Sequence, residues 1–276
     1  MKIDRNTVAV ITGAGSGIGR ALAKRLAHEG AALALADVNA KGLDETVQLL
    51  ASSGGKVSSH VVDVADVERV AEFAQEVAIE HGKASILINN AGVGLLGKVE
   101  EISIADLEWL MGINFWGVVY GVKHFLPLLK QQPQAYILNV SSIFGIIAPP
   151  GQSAYCASKF AVRGFTETLR HELKGSNVRV ATIHPGGIKT SIAINSKLGE
   201  KADPAVHHDV GEKFDKVART TPAAAADKIA RGILNDAERI LIGADARGIE
   251  LIQRLLPVRY WRLLGPVMER MMGGKL

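Results

Sequence analysis

Tyr155 and Lys159 stand four residues apart in a segment whose apolar residues (Phe160, Val162, Phe165, Leu169) continue at helical spacing. Residues at i and i+4 share one helix face, so the lysine ammonium can sit close to the phenol. A free tyrosine, with a pKa of about 10, is a poor base at neutral pH. A neighbouring cation favours the phenolate and makes the residue usable for acid–base catalysis. On the pair alone, an exposed tyrosine beside a solvated lysine explains the spacing better. Chemistry here needs partners elsewhere in the chain.

The first partner is a glycine loop, Thr12-Gly13-Ala14-Gly15-Ser16-Gly17-Ile18-Gly19. Glycines at such a place let the backbone turn sharply and approach a pyrophosphate, which then sits at a helix N-terminus. The spacing is G-x-x-x-G-x-G rather than G-x-G-x-x-G, and alone it weighs evenly against an ordinary glycine turn. Asp37, after the second strand, stands where a carboxylate can hold the adenosine ribose hydroxyls. Its charge would repel a 2′-phosphate, and at Ser16 no basic residue welcomes one, so NAD is expected over NADP. The alternative for Asp37 is a helix N-cap.

The elements that must position these residues follow from hydrophobic periodicity. Strands are expected at Thr7–Thr12, Ala31–Ala36, Val57–Val62, Ser85–Asn89, Ala135–Val140, Val178–Ile183 and Arg239–Ile242. Helices are expected at Ile18–Glu29, Lys41–Ser52, Asp66–His81, Ser103–Leu129 (largely helical) and Ser153–Lys174. This alternation predicts an α/β fold: a Rossmann-type, doubly wound parallel sheet of about seven strands in a single domain spanning the chain. Gly186–Pro222 breaks the rhythm as a charged connection of the kind that forms a substrate lid. Gly248–Leu276 is an amphipathic tail with Tyr260, Trp261 and several arginines.

Composition excludes several classes. The net charge of +4 is mild and no Lys/Arg run points to nucleic acid. The single cysteine, Cys156, excludes an internal disulfide, and no CxxC pair offers a zinc site. The N-terminus lacks the apolar stretch of a signal peptide. Gln131–Ser158 is charge-free but carries Pro133, Pro149, Pro150 and Asn139, which argues against a membrane span. A cytoplasmic, soluble protein is expected.

With Gly13, Gly17, Gly19, Asn89-Asn90-Ala91-Gly92, Asn114, Ser142, Tyr155, Lys159 and Pro185-Gly186 in this order, the chain resembles the short-chain dehydrogenase/reductase family from about Thr7 to Ile242. The ordered set TGxxxGxG, NNAG and YxxxK is specific although each motif alone is common. The resemblance implies that Tyr155 is the acid–base catalyst and that Lys159 lowers its pKa and binds the nicotinamide ribose. It implies that Ser142 holds the substrate oxygen (Ser141 fits less well by spacing) and that Asn114 holds a water in a proton relay to Lys159. Asp63 and Val64 match the pair that contacts the adenine, and Asn90, Ala91 and Gly92 line the cofactor cleft. Pro185, Gly186, Ile188 and Thr190 match the segment that holds the carboxamide. The implied activity is NAD-dependent interconversion of a secondary alcohol and a ketone, by a homodimer or homotetramer joined through the long helices around Ser103–Leu129 and Ser153–Lys174. The rivals are an NADP-linked carbonyl reductase and a non-catalytic nucleotide-binding protein on the same scaffold.

Other residues read as structural. Asn114, in an apolar helix, could simply satisfy a neighbouring carbonyl. Cys156 reads as a packed small side chain, His184 as a structural residue, and His207-His208 as a solvated lid pair without further metal ligands. Ile143–Pro150 and Gly94–Leu96 suggest a hydrophobic substrate, or equally packing under the lid. In the tail, Pro257 and Pro266 interrupt any long helix, which favours packing over the cleft or against another subunit over a segment lying on a membrane.

Overall fold

The short apolar runs do form strands: Val8–Thr12, Ile86–Asn89 and Ala135–Val140 are buried throughout and covered by helices on both faces, whereas Val57–Val61 alternates buried with exposed residues. In the computed structural model, which describes residues 1–203 and 217–272, the strands are β1 (Val8–Thr12), β2 (Ala32–Asp37), β3 (Val57–Val61), β4 (Ile86–Asn89), β5 (Leu95–Leu96), β6 (Ala135–Val140), β7 (Val178–Pro185), β8 (Lys197–Leu198) and β9 (Arg239–Ile242). Seven of them make one parallel sheet in the order β3-β2-β1-β4-β6-β7-β9. The chain reverses its direction of sheet growth between β1 and β4, the switch point at which a crevice opens past the strands' carboxyl ends.

The helices are α1 (Gly17–His28), α2 (Ala40–Leu49), α3 (Val67–His81), α4 (Ile104–Met111), α5 (Gly117–Lys130), α6 (Ser153–Glu172), α7 (Pro222–Leu234), α8 (Ala244–Leu255) and α9 (Tyr260–Met272). Alternate strand residues face opposite ways. Ala9 and Ile11 join Leu22, Leu26, Ile229 and Ile233 in a core under α1 and α7. Val10 and Leu87 join Phe73, Val122, Phe125 and Leu169 under α3, α5 and α6.

The expected helix over Ser103–Leu129 holds, with one change: Gly112–Trp116 is a π-turn between α4 and α5. Single π-turns often mark functional positions, and this one carries Asn114. Helix α7 belongs to no expected element, although Thr221 caps it through Ala224 N–H and Pro222 opens it. The tail begins earlier than expected, since Gly248 lies inside α8. The lid region Gly186–Pro222 lies partly outside the described residues, and His207-His208 lies wholly outside them. Its described base is pinned by the Ile188–Thr220 bridge, and β8 pairs with β5. Lys197 Nζ sits 2.6 Å from Asp106 Oδ1 and 5.1 Å from the Trp109 ring centroid. That ammonium and the Ser103 cap hold the Asp106 carboxyl down to about 2.

Candidate active site

The glycine loop leaves β1 at the switch point. Gly13 adopts φ +66°, which L side chains rarely take, and a Cβ there would come 2.8 Å from Ala91 Cα. At Gly19 a Cβ would overlap Gly13 O, so the helix can close on the loop only without a side chain. Thr12, the first residue of the loop motif, ties the loop to the neighbouring strand end: its Oγ1 accepts from Asn90 N–H at 3.0 Å and Ala91 N–H at 3.1 Å. The Asn90 amide donates to Thr12 O at 2.9 Å and Gly13 O at 3.1 Å. Asn90 is therefore a strut of the loop.

Helix α1 starts at Ser16, whose exposed side chain makes no capping hydrogen bond, and its first turn carries no acidic residue. The leading N–H groups are left for an anion. Ile18 packs back on the core. Gly17 faces Thr190, whose methyl would lie 3.2 Å from a Cβ there, so loop and lid base approach across the cleft.

Asp37 is not the cap of α2, a role taken by Asn39, which accepts from Gly42 N–H. Its Oδ2 accepts from Gly15 N–H at 2.8 Å and its Oδ1 from Asn39 N–H at 2.9 Å. The nearby Arg20 guanidinium is engaged by Gly15 O, Gly42 O and Glu45. Asp63 follows β3 and accepts from Ala65 N–H. Val64 is buried beneath Gly117, where a Cβ would sit 2.8 Å from Val64 Cγ2. The loop, an acidic group one strand over and a free helix N-terminus fit a dinucleotide.

At the other end of the crevice, β6 delivers Ser141 and Ser142, and α6 delivers Tyr155 and Lys159. The two serines separate cleanly. Ser141 Oγ donates to Lys159 O at 2.8 Å and is buried under α6. Ser142 Oγ accepts from Phe144 N–H at 3.1 Å and reaches Tyr155. Lys159 is buried, with Nζ donating to Val140 O at 3.1 Å and lying 5.7 Å from the Tyr155 ring centroid. Burial pushes the ammonium down to about 8.

The expected lowering of the tyrosine by the lysine does not occur: Lys159 is not among the groups that act on the phenol. Burial pushes the Tyr155 phenol up to about 12, and the opposing pull comes from Ser142. Desolvation disfavours both charged forms. Cys156 is likewise raised to about 12 by burial, as expected of a packed side chain.

Asn114 is fully buried in its π-turn. Its Oδ1 accepts from Val93 N–H at 2.8 Å, and its Nδ2 donates to Val93 O at 3.0 Å and Ser158 Oγ at 3.2 Å. A Cβ on Gly92 would be 3.2 Å from both Asn114 Oδ1 and Lys159 Nζ, which places Gly92, Asn114 and Lys159 around one point. His184 Nδ1 contacts Ser142 O at 3.0 Å, and burial pushes this imidazole down to about 4.

Pro185 ends β7, with Gly186 N–H bonded to Ile242 O. Asp245, which no sequence pattern flagged, accepts from Gly187 N–H at 2.7 Å and leaves no room for a side chain on Gly186. Asp245→Ala is expected to raise the KM for cofactor about ten-fold with kcat little changed, since hydrogen bonds to charged groups contribute about 1.5–3 kcal/mol. Asp245→Asn keeps an acceptor and should restore most of the loss; steady-state kinetics with varied cofactor checks both.

The apolar residues divide. Phe144 meets Tyr155 edge-on at 6.2 Å, and Val93 and Leu95 pack beside Tyr155. Ile143, Ile146 and Ile147 are instead buried against Ala246, Ile249, Ile252, Tyr260 and Leu264 of the tail. Tyr260 Oη also accepts from Ala148 N–H at 3.1 Å. The tail therefore packs on the loop after Ser142.

A glycine loop at the switch point of a parallel sheet, with a half-buried Tyr155 beside a buried Lys159 at the far end of the same crevice, defines a dinucleotide-binding scaffold equipped for proton transfer. Residues 7–201 match the short chain dehydrogenase family, and the chain belongs to it. It is an oxidoreductase of that family, which binds a nicotinamide cofactor. It is 43% identical over 259 residues to SadH of Mycobacterium tuberculosis, named an oxidoreductase, covering 93% of each chain. A short chain dehydrogenase/reductase from Burkholderia phymatum, solved in complex with NAD, matches with a TM-score of 0.85 at 32% identity over 92% of this chain and 94% of that one. An alcohol dehydrogenase from Thermococcus sibiricus, complexed with 5-hydroxy-NADP, matches with a TM-score of 0.73 at 28% identity over 86% and 95%.

Proposed function

We propose that the protein interconverts a secondary alcohol and a ketone with NAD, on a hydrophobic substrate. The convergence of Ser142, Tyr155 and Lys159 at one end of the crevice supports this reading most directly. Bound at the glycine loop, the nicotinamide cofactor would accept or supply the hydride. Tyr155 Oη takes the proton from the alcohol, or gives it to the ketone oxygen. Ser142 Oγ holds that same oxygen. Lys159 Nζ binds the ribose and returns protons to Tyr155, with Asn114 and Gly92 lining the relay behind it. Pro185, Gly186, Ile188 and Thr190 hold the carboxamide, and Asp63, Val64 and Ala91 line the adenine side.

The NAD preference rests on Asp37 at the end of β2, with Arg20 already engaged. Asp37→Asn keeps the acceptor for Gly15 N–H and removes only the charge. It is expected to move the NADP-to-NAD ratio of kcat/KM by roughly ten-fold or more, because like charges brought together cost several kcal/mol. An unmoved ratio, measured with both cofactors, would reduce Asp37 to a loop tie and favour the NADP-linked reading. Phe144, Val93 and Leu95 beside Tyr155 support an apolar substrate, and turnover across aliphatic, aromatic, steroid and polyol alcohols tests it. Preference for small charged alcohols would overturn it. Exposed Trp109, Trp116 and Phe160 on or beside α4, α5 and α6 support self-association through those helices.

A further inference from the structure

Helices α8 and α9 form the last described part of the chain, and the sheet does not need their outer side. Their inner side is accounted for: Ala246, Ile249 and Ile252 of α8 and Tyr260, Leu264 and Met268 of α9 close over Ile143–Ile147. The outer side is not. Along α8, Arg247, Leu251, Arg254, Leu255 and then Val258 recur at i, i+4, i+7, i+8 and i+11, a single face. Along α9, Arg259, Arg262, Leu263 and Val267 do the same. All are exposed; Val258, in the bend between the helices, is 89% exposed and Leu255 69%.

Exposed apolar residues gathered on the outer side of both helices mark an interaction site, and the charge pattern says with what. Across residues 244–272 there are five arginines, Arg247, Arg254, Arg259, Arg262 and Arg270, against three acidic residues, Asp245, Glu250 and Glu269, and Asp245 is taken up by Gly187 N–H. Glu250 is turned inward, with 16% side-chain exposure, to Arg239 at 3.0 Å and also meets Arg254. A second copy related by a two-fold axis would bring these arginines against their own kind, a like-charge arrangement that disfavours self-pairing.

We propose that the outer face of the α8–α9 hairpin docks on an anionic lipid surface. Leu251, Leu255, Val258, Leu263 and Val267 enter the headgroup boundary, and the arginines lay their stems along it with guanidiniums on phosphate. Docking of this kind uses a surface, not a span: among the described residues no helix is long and apolar enough to cross a membrane. It leaves the reaction chemistry untouched and sets the loop after Ser142 one helix layer from the bilayer.

The full chain is to be co-sedimented with phosphatidylcholine vesicles and with vesicles containing about one-third phosphatidylglycerol. Binding to the anionic vesicles should exceed binding to the neutral ones at least ten-fold, and should weaken as salt screens the arginines. Two variants, Arg254→Gln/Arg259→Gln/Arg262→Gln and Leu255→Ser/Val258→Ser/Leu263→Ser, should each lose ten-fold or more with an unchanged melting temperature. No binding by the unmodified chain, or equal binding to both vesicle types, overturns the proposal. A lower solution mass of the serine variant in sedimentation velocity, with no vesicle binding by either chain, assigns the face to a second copy and overturns it too.

Discussion

Tyr155→Phe is expected to fold normally and to lose turnover by about 10²–10⁴-fold, the range that positioned acid–base groups typically contribute. The substitution keeps the ring that meets Phe144 edge-on and packs beside Leu95. It removes only the hydroxyl. Ser142 stays seated, because its Oγ independently accepts from Phe144 N–H, so stability should fall by no more than about 1 kcal/mol. Cofactor affinity, measured by titration, should be nearly unchanged, which separates lost chemistry from a lost site. In the unsubstituted chain the phenol, pushed up to about 12, is protonated at neutral pH. Alcohol oxidation, which needs the base form, should therefore climb as pH rises toward 12, while ketone reduction, which needs the acid form, should stay level over the same range. Residual turnover within three-fold of the unsubstituted chain would remove Tyr155 from the proposed mechanism.

The sheet and the pairing of Tyr155 with Lys159 on one helix were legible because each rests on local patterns. Short, mostly apolar runs gave seven strands within two residues of their observed ends, and the YxxxK spacing put two side chains on one helix face. What was not legible depends on contacts between distant segments. Asp245 matters through Gly187, 58 positions away in sequence, and no period or spacing marks such a pair. The π-turn at Asn114 inserts one residue into a helix whose apolar pattern runs on regardless. Burial of the Tyr155 phenol depends on distant elements closing around it, so the sequence showed a cation nearby and not the desolvation that raises the phenol. The apolar run after Ser142 was ambiguous for the same reason: Phe144 turns to Tyr155, while Ile146 and Ile147 are covered by a tail more than a hundred residues later in the chain.

Lys159→Met should make the protein more stable and nearly inactive. Lys159 is 3% exposed, and its ammonium has one described hydrogen bond, to Val140 O. Burial lowers it from 10.5 to about 8. The unfolded chain therefore holds this proton more tightly than the folded one. Below pH 8 both states are charged and the folded state carries the full desolvation cost. Between 8 and 10.5 the folded lysine loses its proton first, and the cost fades as pH rises. A shift of that size corresponds to about 3 kcal/mol. Methionine matches the length without the charge but forfeits the Val140 hydrogen bond, about 1 kcal/mol, leaving a net gain near 2 kcal/mol at pH 7. Denaturant melts at pH 7 and pH 9.5 check this, with the advantage of the variant shrinking at the higher pH. The same substitution removes the group proposed to bind ribose and feed protons to Tyr155, so kcat/KM should drop by about 10²-fold or more. A variant that is less stable at pH 7, or whose advantage does not change with pH, would mean that the pocket solvates the ammonium. Stability gained and activity lost together would identify Lys159 as a charge held in the core for its chemistry.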